Sequence, residues 1–94
     1  MYVISYDIVE DRRRNKIAKL LEGYGQRVQY SVFECHIDKK TLKILYAKLQ
    51  DLTQDMQEGS VYIYFLCNEC EKKQVVIGER NQKLEELQEP VIVV

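Results

Sequence analysis

The chain has 94 residues, 46% of them hydrophobic, with 14 Lys and Arg against 15 Asp and Glu and a net charge of −1. This length fits one domain, with a modest core that gains from pairing with a second copy. Sparse Gly and Pro exclude a disordered or low-complexity chain, no apolar run reaches the roughly 20 residues of a membrane helix, and the N-terminus lacks the basic-then-apolar layout of a signal peptide.

Tyr2 to Ile8, rich in Tyr, Val and Ile, reads as a first strand with Asp7 near its end. A helical period follows, with Ile17, Leu20, Leu21 and Tyr24 at i, i+3, i+4 and i+7. Asp11 is its expected N-cap, and Gly23 or Gly25 its stop. Gln26 to Ile37 alternates, with Val28, Tyr30 and Val32 opposite Phe33, Cys35 and Ile37. Both faces are apolar and expected to be covered, and Val28 to Ile37 reads as one long strand or a bent strand pair. Asp38 caps a second helix whose apolar stripe is Leu42, Leu45, Tyr46, Leu49 and Leu52. A turn at Glu58–Gly59 leads to a strand at Val61–Leu66, a further strand is expected at Gln74–Ile77, and Pro90–Val94 is an apolar strand candidate in the tail. The order fits an α+β, ferredoxin-like βαββαβ sandwich, with two helices on one face of an antiparallel sheet. The other face wants a partner, and an identical chain is the economical one. The whole of 1–94 reads as one domain, with 79–94 a tail that packs on the partner subunit.

Charge is unevenly spread. Residues 1–48 hold ten Lys/Arg and six Asp/Glu, whereas residues 51–94 hold four and nine. One basic and one acidic face follow, and a basic patch binds phosphates whatever the total charge. Arg12, Arg13, Arg14 and Lys16 crowd the first turns of the first helix, where the dipole prefers acids. That placement makes sense if the turn meets an anion; the bland alternative is a solvated charge run. Arg27 adds a cation at the start of the next strand. Asp7 either accepts nearby backbone N–H groups or presents a carboxylate from a rigid strand end. A single carboxylate is a poor Mg²⁺ site, but a two-fold axis beside Asp7 would bring a second. Three cysteines, an odd number, argue against a disulfide framework and for a cytoplasmic chain with reduced thiols. Cys67 and Cys70 form a lone Cys-x-x-Cys, too few ligands for structural zinc.

The stretch "YVISYDIVEDRRRNKIAKLLEGYGQRVQYSVFEC", with the later "VYIYFL" and "QVVIG", resembles the CRISPR-associated protein two family. The resemblance implies a ferredoxin-like homodimer in which Asp7 of each chain meets across the interface to bind Mg²⁺ or Mn²⁺. It implies metal-dependent endonuclease activity on RNA or DNA phosphodiesters, and a role as the dimeric centre of a spacer-integration complex with the CRISPR integrase. An alternative within the same family is a non-catalytic DNA-binding adaptor. Residue by residue, Tyr6 and Asp7 match the family's strand-end catalytic pair, Arg14 and Arg27 its functional arginines, and Phe33 its aromatic on the second strand. Lys16 stands where an arginine is common, keeping charge without the bidentate fork.

Overall fold

The computed structural model describes residues 1–78. Its elements run β1 (Tyr2–Asp7), α1 (Asp11–Glu22), β2 (Gln26–Gln29), β3 (Val32–Cys35), α2 (Lys39–Thr53), β4 (Ser60–Phe65) and α3 (Asn68–Lys72). The four strands form one sheet in the order β2-β3-β1-β4, antiparallel at every junction. This is the βαββαβ sandwich that the residue pattern predicts, with α3 appended.

The core lies between the sheet and the two long helices. Strand alternation sends Tyr2, Ile4 and Tyr6 to one face of β1, where they are buried with Phe33 and Cys35 of β3. Ile17 and Leu21 of α1 and Leu45 and Leu49 of α2 close over them. Each such side chain contributes about 1.5–3 kcal/mol by leaving water. α2 begins where expected: the Asp38 carboxylate accepts from Thr41 N at 2.7 Å, which lowers its pKa. Gly25 is required between α1 and β2, because a Cβ there would stand 2.3 Å from Glu34 O.

Two expectations, the N-cap of α1 and the strand at Gln74–Ile77, need correction. Glu10, not Asp11, occupies the N-cap of α1, and its side chain makes no capping hydrogen bond; Asp11 lies in the first turn, where an acid suits the dipole. Of the two alternatives for the segment 26–37, the strand pair holds: β2 and β3 fold back at Tyr30–Ser31, with a register shift between Arg27 and Gln29. Gln74–Ile77 forms no strand and has no ladder partner among the described residues. Cys67 to Lys73, to which the residue pattern assigns no element, holds α3 with Cys67 as its N-cap. The tail candidate Pro90–Val94, and the 79–94 segment containing it, lie outside the described residues.

Candidate nucleic-acid and metal site

Asp7 is placed by the packing of its neighbours. With Ile4 and Tyr6 held inward, the next side chain on β1 points to the face without helices. Asp7 is exposed there, and its carboxylate has no hydrogen-bond or ion-pair partner among the described residues. Its cross-strand neighbour is Ser60 of β4. Gly59, at φ +109°, makes the turn into β4, and a Cβ on it would stand 2.6 Å from Asp7 O. Only glycine allows β4 to start this close to the end of β1.

The face around Asp7 is apolar and open. Tyr62 and Tyr64 of β4 lie beside Ser5 and Val3 of β1, with their rings stacked at 6.2 Å. They remain 51% and 55% exposed, a large apolar expanse for a small domain. At the β3 side of the face, Glu34 is buried and accepts from Gln74 Nε2 at 3.1 Å.

Tyr6 and Asp7 are neighbours in sequence but belong to opposite faces. Tyr6 is buried, and its hydroxyl meets Tyr30 O at 3.4 Å and Arg27 Nη2 at 3.5 Å. Arg27 donates to Tyr30 O from Nε at 3.0 Å, and its guanidinium lies over the rings of Tyr30 and Phe33. Arg14 lies 5.8 Å from the Tyr30 ring centroid. Tyr6, Arg14, Arg27, Tyr30 and Phe33 thus form one aromatic–arginine cluster, with Phe33 as its fully buried floor. Tyr30, 69% exposed, is the member that residue patterning missed; an aromatic in a turn that lacks Gly, Pro, Asn and Asp carries no local signal.

The basic run divides in two. Arg14 donates from Nη1 to Ile8 O at 3.0 Å and Val9 O at 3.3 Å, and from Nη2 to Asp11, whose hydrogen bond raises the guanidinium pKa. It clamps the turn that follows Asp7. Arg13 pairs with Asp55 at 3.0 Å and Glu10 at 3.5 Å, tying α1 to the loop after α2 and holding the Asp55 carboxyl below its usual range. Arg12 and Lys16 are exposed, with no ion pair among the described residues. They line a shallow cleft with Asp51 and Asp55. Of the basic residues expected to bind nucleic acid, these two and the outer edge of Arg27 are the ones left open to a phosphate.

Among the described residues no group of three or more His, Cys, Asp or Glu is arranged to hold a metal. No helix among them is long and apolar enough to cross a membrane.

Comparison with known proteins fits this architecture. The family model described as "CRISPR associated protein Cas2" matches residues 1–74. The "CRISPR-associated endoribonuclease Cas2 1" of Chloroflexus aurantiacus is 50% identical over 78 residues, covering 83% of this chain and 84% of that protein. The "CRISPR-associated endonuclease Cas2 2" of Thermus thermophilus is 41% identical over 71 residues, covering 76% and 78%. A chain of the solved "Partial Cas6-RT-Cas1--Cas2 complex" superposes with a TM-score of 0.71 at 32% identity, covering 81% of this chain and 88% of that one. The chain belongs to the CRISPR-associated Cas2 family.

Proposed function

We propose that this protein works in CRISPR adaptation as a cytoplasmic homodimer that cleaves RNA or DNA phosphodiesters with a divalent metal, Mg²⁺ or Mn²⁺, and joins a Cas1-type integrase. The observation that carries the reading is the exposed, unpartnered Asp7 carboxylate on the helix-free face. A carboxylate oxygen suits a hard cation, but one chain offers one such group, so the fit requires the Asp7 residues of two copies. The Tyr62–Tyr64 expanse beside Asp7 supports that pairing, because a second copy would cover it and carry its own Asp7 to the same interface.

When bound, the metal supplies an activated water and charge neutralisation at the phosphodiester. The chain's own residues do the rest. Asp7 would hold the ion, at a strand end that Arg14 and Gly59 keep in place. Arg12 and Lys16, and Arg27 on the far side of the turn, meet the phosphate backbone without reading bases. Tyr6, directed to the helix side, supports Arg27 and Tyr30 and does not face the metal.

The second reading is a structural adaptor that holds DNA and integrase without cleaving. Two observations favour it: the single carboxylate per chain, and the likeness to a chain of a complex named for Cas1 and Cas2. A nuclease panel of single- and double-stranded RNA and DNA, run on wild type and Asp7→Asn with and without Mg²⁺, separates the two. The nuclease reading expects Mg²⁺-dependent cleavage that falls at least about 100-fold in the variant, more than the loss of an outer-shell partner typically causes. Cleavage that survives the substitution or excess chelator rejects it. Integrase binding that persists while cleavage is absent from the wild type supports the adaptor.

A further inference from the structure

Cys67 and Cys70 play no part in the reading above. They lie just past the end of β4 opposite Ser60, the residue paired with Asp7. At about 3.3 Å per residue, β4 separates them from the Asp7 end by roughly 20 Å. Both are exposed, whereas Cys35, the third cysteine, is buried in the core. The turn into α3 folds the pair together: Cys70 N donates to Cys67 Sγ at 3.5 Å. The surrounding contacts hold this geometry. Leu66 is fixed to Met1 by two backbone hydrogen bonds at 2.8 and 3.0 Å, and Glu71 N donates to Cys67 O at 2.9 Å. Glu71 also reaches His36.

We propose that Cys67 and Cys70 are a redox-active dithiol that closes reversibly to an intrachain disulfide by exchange with a small-molecule or protein disulfide. The Cys67 thiolate attacks one sulfur of the incoming disulfide, forming a mixed disulfide and expelling one thiolate. Cys70 loses its proton to solvent and attacks the Cys67 sulfur, closing the ring and expelling the second thiolate. The protein gives up two electrons and two protons, and the incoming disulfide becomes two thiols. The roles follow from the environments of the two sulfurs. Hydrogen bonding from the Cys70 amide and thiol lowers the Cys67 pKa, which makes Cys67 the attacking group. The hydrogen bond to Cys67 and its charge raise Cys70, which keeps Cys70 in reserve as the resolving thiol. The Glu69 backbone supports the Cys67 thiolate while its charge opposes both thiolates, and Lys73 favours that of Cys70. Cys35, whose pKa burial raises, takes no part.

The test equilibrates the full-length protein with oxidised glutathione, quenches with acid, alkylates and measures mass. The expected result is loss of two of the three alkylatable thiols and of the mass of two hydrogens, with no glutathione retained, and full reversal by dithiothreitol. Cys70→Ser should instead trap glutathione on Cys67 alone. In the reduced wild type, iodoacetamide at neutral pH should label Cys67 before Cys70. A lasting glutathione adduct on the wild type, a disulfide between chains, or three thiols unchanged would overturn the proposal. Because the pair sits at the far end of β4, oxidised and reduced protein should show the same dependence on Asp7 in the nuclease panel, so failure of either proposal is recognised separately.

Discussion

The two faces of the sheet share the same strands but differ in how complete they are. On the helix side Ile4, Phe33, Ile17, Leu21 and Leu45 are fully buried, and the chain supplies every contact. On the other side Tyr62 and Tyr64 are half exposed and Asp7 has no partner among the described residues. The period of two links the faces: packing Ile4 and Tyr6 inward fixes Asp7 outward. The position of the candidate metal ligand is therefore a consequence of core packing, and the uncovered face is the one on which the proposed dimer would form.

The comparison is broken most directly from the core side. Leu45→Ala removes a fully buried side chain from between α2 and the sheet. It should cost about 2–5 kcal/mol, read as a lower denaturation midpoint with unchanged denaturant dependence. From the other face, Tyr62→Glu should leave the monomer folded while weakening self-association. Loss of a central interface aromatic costs about 2 kcal/mol, which is roughly a 30-fold higher dissociation constant by sedimentation. If Tyr62→Glu unfolds the monomer, or leaves the dimer intact, the division of labour between the faces is wrong.

Much of this division was legible in the residues. The periods of β1, α1, α2 and β4 are clear, and Asp38 declares itself as a cap through Thr41. Asp7 at a strand end was equally plain. What the pattern hid was which cations are free. Arg13 and Arg14 look like Arg12 in sequence, yet they bind Asp55, Glu10, Asp11 and two carbonyl oxygens. Asp55 is 42 positions away from Arg13, beyond any local spacing rule. The place of the hairpin turn at Tyr30–Ser31 was also obscured, because the alternation of Gln26 to Ile37 runs through a turn that lacks Gly, Pro, Asn and Asp. Gln74–Ile77 has strand composition but no ladder partner within the described chain, and composition alone does not make a strand.

Gly59 sharpens the comparison at the point where the faces meet. Gly59→Ala places a side chain at positive φ and against Asp7 O. The backbone penalty is about 1–2 kcal/mol, and relief of the contact must displace the end of β1. We expect a modest fall in thermal stability together with a larger proportional fall in metal-dependent cleavage. A variant that loses stability but cleaves normally would show that the Asp7 backbone tolerates movement.

The smallest effect is expected at the Arg13–Asp55 pair, which joins α1 to the loop before β4. The Asp55 side chain is 86% exposed, so solvent and salt screen the pair. Hydrogen bonding and charge from Arg13 depress the folded-state pKa of Asp55. A depressed carboxylate contributes stability above its unfolded pKa and loses it as pH falls through the folded value. Asp55→Asn should therefore melt slightly below wild type at neutral pH. The gap should close in acid, as the wild-type carboxylate takes up its proton, and shrink with added salt. Arg13 keeps Glu10 at 3.5 Å in the variant, which limits the loss. A gap that widens in acid, or ignores salt, would mean that Asp55 orders the loop by something other than its charge.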